Sequence, residues 1–235
     1  MLVRIDKACP KLVFDLGCGA GNVTKLLRAR WPDAKVTGVD SSKAMLANAK
    51  ATGLKVDWVE ADLSNWASEA PADVVFSNAA LQWLDEHISL FPRLLSNLAP
   101  GGVLAIQMPN NYGAPSHLGM VAAARSGPWR ETLEPYLREG PVGLAEFYWN
   151  VLAGAGRVVD IWETEYLHQL QGDNAIVEWT LGSALRPLLD LLQEPWRGAF
   201  LADYQRRMTD AYPRQASGVT LFRFRRLFIL VTKCQ

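Results

Sequence analysis

Apolar residues fall along the chain in two rhythms: short continuous runs that suit buried strands, and three-to-four-residue spacings that suit half-buried helices. The first run, Val13-Phe14-Asp15-Leu16, predicts a strand that begins near Leu12 and ends in a glycine-dense turn, Gly17-Cys18-Gly19-Ala20-Gly21. A helix follows from about Asn22 to Trp31, with Val23, Leu26, Leu27 and Trp31 on one face, and Pro32-Asp33 ends it. Lys35 to Val39 reads as a second strand, closed by Asp40. Ser41 or Ser42 caps a helix to about Ala51 that turns Met45, Leu46 and Ala49 inward, and Gly53 ends it. Strands are expected at Lys55 to Glu60 and at Asp73 to Ser77. The stretch 86–98 predicts a helix burying Ile88, Phe91, Leu95 and Leu98, regular only from Ser89 so that Pro92 falls in its first turn. Pro100-Gly101-Gly102 then turns the chain into a fifth strand, Val103 to Met108.

Past Met108 the rhythm breaks. Pro115, His117, Gly127-Pro128-Trp129, Pro135, Pro141 and Tyr148-Trp149 mark a partly helical, aromatic-rich insertion, expected to cap the end of the sheet where ligands bind. Arg157 to Leu167 alternates as a strand, and Ile176 through Leu192 reads as one or two helices containing Ser183-Ala184-Leu185-Arg186-Pro187. A helix from about Arg197 to Tyr212 carries Phe200, Leu201, Tyr204 and Met208 on one face. The last strand, Phe224 to Thr232, is a continuous apolar run suited to burial in a sheet, with a basic start at Arg223, Arg225 and Arg226. Strands alternating with helices predict an α/β fold. The expected division is a core over 1–108, the cap insertion over 109–156, and the remainder of the core with the terminal strand over 157–235.

Composition narrows the function. With 235 residues, 49% hydrophobic, the chain suits one large α/β domain or a core with a smaller insertion. Formal net charge is zero and no basic run stands out, which argues against a nucleic-acid partner. Cys9, Cys18 and Cys234 are odd in number and lack metal-ligand spacing, so no metal is expected and a reducing, cytoplasmic setting is. No run approaches the roughly 18 apolar residues of a membrane span, and Met1 to Lys11 is no signal peptide.

The strand–turn–helix–strand–acid layout from Val13 to Asp40 is that of a nucleoside-binding βαβ unit, whose closing acid accepts ribose hydroxyls. Its glycines run G-x-G-x-G, and Asn22 stands where a dinucleotide fingerprint has its third glycine. Asp15, just before the turn, suits a cationic ligand and would repel a pyrophosphate. The stretch resembles the first motif of class I S-adenosylmethionine (SAM)-dependent methyltransferases. That resemblance implies a Rossmann-like sheet of seven strands, the last antiparallel, with a helical cap insertion. It implies cofactor contacts at Asp15, Gly17, Gly19, Gly21, Asn22, Asp40, Ser41, Asp62, Leu63 and Asn78. Asp62 either holds the adenine amino group or caps a turn. Asn78, Gln82 and Trp83 follow the fourth strand, where the transferred methyl is expected, although Trp83 equally suits a plug against the next helix. The first strand begins near Leu12, so the N-terminal lid of this superfamily is expected to be missing or reduced.

Further motifs extend the resemblance over nearly the whole chain. Asn78 with Gln82-Trp83, Gly101-Gly102-Val103-Leu104-Ala105-Ile106-Gln107-Met108-Pro109-Asn110, Gly127-Pro128-Trp129, Val177-Glu178-Trp179, Leu185-Arg186-Pro187 and Arg226-Leu227-Phe228 resemble the trans-aconitate 2-methyltransferase family. That family implies methyl transfer from SAM to a carboxylate of a small polycarboxylic acid, with related enzymes esterifying long-chain or aromatic acids, and a SAM-binding protein of little activity as the other alternative. Gln82 and Trp83 would serve only as positioning groups, because a carboxylate nucleophile is already ionised at neutral pH and needs no base. Its other carboxylates need fixed cations. Arg186 leads the substrate candidates, as a clamp or else a surface salt bridge, followed by His117, Trp129, Tyr148, Gln107 and Arg226.

Overall fold

The first βαβ unit forms where the apolar rhythm puts it. In the computed structural model, which describes residues 1–138, 140–154 and 156–234, β1 (Leu12–Leu16) and β2 (Lys35–Asp40) pair in parallel, Asp15 beside Gly38 and Leu16 beside Val39. Helix α1 (Thr24–Arg30) joins them, and α2 (Lys43–Ala51) leads from β2 to β3 (Asp57–Glu60). The hydroxyl of Ser42 caps α2 by accepting the Met45 N–H. Then come β4 (Ala72–Asn78), α3 (His87–Ser96) and β5 (Leu98–Pro109). The two remaining expected strands are both longer than their apolar runs, β6 (Gly156–Leu170) and β7 (Thr220–Lys233). The seven-stranded sheet has the order β3-β2-β1-β4-β5-β7-β6, and β7 runs antiparallel to β5, from Val103 opposite Thr232 to Pro109 opposite Arg226. Between β5 and β6 lie α4 (Pro115–Ser126), α5 (Arg130–Leu133) and α6 (Ala145–Leu152). Between β6 and β7 lie α7 (Ala175–Leu181), α8 (Leu185–Leu189) and α9 (Trp196–Ala211).

The chain divides into two compact units. The first is Met1–Pro109, Pro141–Thr164 and Arg226–Gln235; the second is Asn110–Gly140 and Glu165–Arg225. These bounds cut across the expected 109–156 insertion, because α6 packs in the first unit while α4 and α5 belong to the second.

In the first unit, one core gathers Val13, Leu27, Trp31, Val36, Val74, Phe76 and Val103 beneath the sheet. Each such large side chain, once buried, contributes roughly 1.5–3 kcal/mol. Three expected inward residues are instead exposed: Leu26, Met45 and Ile88. The cause is helix phase. In α3 the buried set is His87, Leu90, Phe91, Leu94 and Leu95, an unbroken three-to-four spacing that leaves Ile88 outside it. Helix α3 also begins at His87, so Pro92 lies inside it; the proline is exposed, and water can take the carbonyl it leaves unbonded. Leu98 is buried in β5 and not in a helix.

A polar network ties α3 to α6 in the same unit. His87 Nε2 lies 3.0 Å from the Leu81 carbonyl and Nδ1 lies 2.7 Å from the Tyr148 hydroxyl. A carbonyl can only accept, so Nε2 carries a proton, while Nδ1 shares a hydrogen bond with the tyrosine hydroxyl. The Tyr148 oxygen in turn accepts the Gly143 N–H at 3.2 Å. This network anchors the 3-10 turn Leu81–Trp83.

The second unit has its own core, built from Met120, Trp129, Leu133, Ile176, Leu185, Phe200, Tyr204 and Phe222. No described helix is long and apolar enough to cross a membrane. Among the described residues no group of three His, Cys, Asp or Glu side chains is placed to hold a metal ion.

Candidate active site

The glycine turn after β1 is shaped by two close approaches. Gly17, Gly19 and Gly21 have φ of +71°, +54° and +81°, which a residue with a Cβ rarely adopts. A Cβ on Gly17 would stand 2.1 Å from the Ala80 Cβ, and one on Gly21 would stand 2.8 Å from the Trp58 indole. The same indole packs closely against Gly38 of β2, where a Cβ would stand 2.5 Å from it. Gly17 and Cys18 donate their N–H groups to the Val39 carbonyl, at 2.8 and 3.1 Å. Asp40 closes the turn from the other side: Oδ2 accepts the Gly19 N–H and Oδ1 the Ser42 N–H, each at 2.8 Å. Asn22 and Ser41 are exposed at the rim.

Asp40 is therefore both a ligand candidate and a fastener of the loop. Asp40→Ala should weaken SAM binding by about 1.5–3 kcal/mol through loss of charged hydrogen bonds. Asp40→Asn, which keeps one acceptor oxygen, should lose less. Calorimetric titration showing the same SAM affinity in the alanine variant as in the parent would sink the ribose assignment.

Beneath the turn, Asp15 is 1% exposed, and its Oδ2 accepts the Thr24 hydroxyl at 2.5 Å. Burial pushes its pKa up to about 6; the Thr24 hydrogen bond opposes that rise and the charge of Asp40 adds to it. Cys18 is buried too, and burial first, then the charges of Asp15 and Asp40, drive its thiol pKa up to about 12. The turn thus holds acidic groups at close quarters. Such a place favours a cationic ligand, and the ammonium and sulfonium of SAM fit it where a pyrophosphate would not.

The loop after β3 carries Asp62 and Leu63. Asp62 is exposed, and its Oδ1 accepts the Ser64 N–H at 2.8 Å. Hydrogen bonds from Ser64, aided by the charge of Arg93, hold its carboxyl below the usual range. The turn-capping role is thus formed in the structure. Leu63 is buried against the glycine turn. Arg93, from α3, fixes this loop by donating to the carbonyls of Trp66 (2.6 Å), Ser64 (2.5 Å) and Leu63 (3.2 Å).

At the carboxyl end of β4, Asn78 is half-buried and Ala79 has φ of +55°. The Ala79 N–H donates to the Gln107 carbonyl at 2.9 Å, and its carbonyl accepts from Gln82 Nε2 at 2.7 Å. Gln82 is buried, whereas Trp83 is 44% exposed. Gln107 is buried on β5, and Arg226 Nη1 donates to its Oε1 at 3.0 Å.

The remaining candidates separate. Tyr148 is 0% exposed with its hydroxyl engaged by His87 and Gly143, so it is a core residue and not an open substrate contact. Trp129 is likewise corrected: it is buried, donates its indole N–H to the Ala123 carbonyl at 2.9 Å, and packs edge-on to Phe200. His117, in the second unit, lies 2.6 Å by Nε2 from the Arg138 carbonyl and edge-on to Tyr112. Arg186, also there, is exposed on α8 and makes no ion pair among the described residues.

Sequence reasoning missed Thr24, Trp58, Arg93 and His87. Gly38 was a usable signal for Trp58, since a glycine within an apolar strand marks a close approach. Arg93 left none, because it serves backbone carbonyls about thirty residues away in sequence.

A family model described as a methyltransferase domain matches residues 13–102. The trans-aconitate 2-methyltransferase of Azoarcus sp. strain BH72 is 44% identical over 99% of this chain and 91% of its own. The protein of that name from Methylobacterium radiotolerans is 42% identical over the same shares, 99% and 91%. Among solved structures, a Bacillus halodurans chain classed with the methyltransferases superposes with a TM-score of 0.64 at 15% identity, covering 100% of this chain and 97% of that one. The plantazolicin methyltransferase crystallised with S-adenosylhomocysteine gives 0.53 at 17% identity, covering 99% of this chain and 80% of its own. The sheet order, the antiparallel β7 and the glycine turn with its acids, taken with these matches, define a class I SAM-dependent methyltransferase. Within that class, identity over nearly full length fixes the place: the chain belongs to the trans-aconitate 2-methyltransferase family.

Proposed function

We propose that the chain transfers a methyl group from SAM to one carboxylate of trans-aconitate, giving a monomethyl ester. The observation that carries this reading is the 44% identity over nearly full length to relatives of that name. In it, Asp15, Gly17, Gly19, Gly21, Asn22, Asp40, Ser41, Asp62, Leu63 and Asn78 hold the cofactor, with Asp40 on the ribose and Asp15 below the cationic end. Gln82 Oε1, buried without a hydrogen-bond partner, offers an acceptor of the sign an ammonium needs. When bound, SAM supplies an electrophilic methyl group on a sulfonium.

The chain's own residues have no proton to move. The acid is ionised far below neutrality, with a pKa near about 4, so positioning and exclusion of water are the protein's contribution. His87, the histidine of the first unit, has both ring nitrogens engaged by Leu81 and Tyr148. Fixed cations hold the non-reacting carboxylates, and Arg186 and Arg226 are the candidates, with His117 as a weaker one. A cytoplasmic setting agrees with three free thiols at Cys9, Cys18 and Cys234.

A labelled-methyl assay over a panel of small, long-chain and aromatic acids tests the proposal: trans-aconitate should give the highest kcat/KM. Turnover confined to monocarboxylates would overturn it. The chemical step, followed by single turnover with both ligands saturating, should be level from about pH 6.5 to 8.5. A tenfold rise centred near pH 7 would reveal a titrating base and end the base-free mechanism.

A further inference from the structure

Gln107 carries an unanswered donor. It is 1% exposed, yet its Nε2 has no hydrogen-bond partner. The orientation of the amide is settled by its neighbour: Arg226 Nη1 can only donate, so the oxygen must face it and the NH2 group is what remains. A buried amide donor without an acceptor is costly, and such groups in folded proteins call for a partner.

The place of this donor suggests the partner. Strand register sets Asn78 opposite Gln107, Gln107 opposite Phe228 and Pro109 opposite Arg226. Directly opposed residues share a face, as do residues two apart. Asn78, Gln107, Phe228 and Arg226 therefore lie on one face, at the end of the sheet where β4 and β5 deliver their ligand-facing loops. Phe228 is held there by a parallel stack on Trp162, with ring centroids 4.9 Å apart. Gln82 offers the opposite polarity, an unpartnered acceptor, which would turn a carboxylate away.

We infer that Gln107 Nε2 and the Arg226 guanidinium together form the receptor for one non-reacting carboxylate of the acid substrate. One carboxylate oxygen accepts from the neutral amide and the other from the guanidinium. Gln107 has a double part: its Oε1 fixes the direction of the guanidinium, and its Nε2 contributes a donor without adding charge. This inference rests on the carboxylate-methylating reading given above.

The test uses the full chain with Gln107→Met and Gln107→Glu, assayed on trans-aconitate, on a dicarboxylate lacking one carboxylate, and on a trans-aconitate derivative with a carboxamide in that place. Gln107→Met removes both polar atoms at similar volume and should raise KM for trans-aconitate at least tenfold, with kcat changing less than fivefold. Gln107→Glu keeps an acceptor for Arg226 but presents an anion to the substrate; KM should rise about a hundredfold, and the carboxamide should become the preferred substrate. SAM affinity by calorimetry should stay within twofold in both, which shows that the fold and cofactor site persist. A KM within twofold of the parent in both variants would overturn the inference, as would equal losses on all three substrates. If the unaltered protein binds SAM but esterifies no polycarboxylate, the failure lies with the proposed function itself, and the subsite falls with it.

Discussion

Asp15→Asn is expected to stabilise the ligand-free protein at pH 7.5 while weakening its hold on SAM ten- to a hundredfold, the range of about 1.5–3 kcal/mol for a lost charged interaction. Folding raises the Asp15 pKa from 3.8 to about 6. The folded state therefore binds the proton more tightly than the unfolded state does. Between about pH 4 and 6 the stability contributed by this group falls as pH rises, and above pH 6 the ionised, buried carboxylate costs about 3 kcal/mol. Asparagine carries no charge, and its carbonyl still accepts from Thr24. The variant should thus gain about 1–3 kcal/mol at pH 7.5 and almost nothing at pH 4, as urea unfolding at the two pH values would show. For the same reason SAM affinity of the parent should climb with pH and level above about 6. A variant that is less stable at pH 7.5 and binds SAM as before would mean that the charge serves the fold alone.

Gly17→Ala should be the most damaging small substitution in the glycine turn. A left-handed φ costs a residue with a Cβ about 1–2 kcal/mol, and overpacking costs about 1–3 kcal/mol more. Here the added atom would stand 2.1 Å from the Ala80 Cβ, and Ala80 follows a residue already at φ of +55°. The expected total is about 2–5 kcal/mol, or roughly 5–15 °C in Tm for a chain of this length. Gly53→Ala separates the two causes, since its φ is +70° but no atom lies within 4 Å of the new Cβ. It should lose only the conformational part. Equal melting temperatures for the two variants would show that Ala80 yields and that crowding plays no part.

The glycine turn was legible in the sequence because several requirements coincide within a short span: strand, glycines, helix, strand, acid. No helical or loop alternative satisfies them together. Helix faces were read less well. Leu26, Met45 and Ile88 are exposed because shifting a helix start by one residue rotates its apolar stripe by about 100°. Tyr148 and Trp129 looked like ligand contacts because composition does not separate a buried aromatic from an open one. What decides is a partner such as His87, 61 residues from Tyr148. The terminal strand was readable from its apolar run and its antiparallel direction only from the family resemblance, but the polarity left over on Gln82 and Gln107 emerges only once every other hydrogen bond has found its place.

The thiol of Cys18 gives the glycine turn a chemical clock. With a pKa near 12 and little exposure, it is about one part in ten thousand thiolate at pH 8. Cys9 and Cys234 are exposed, so an alkylating reagent reaches them in the folded protein, while Cys18 is modified only during the intervals when the turn opens. The rate at which its peptide gains mass therefore counts those openings, and any ligand that keeps the turn shut slows the count.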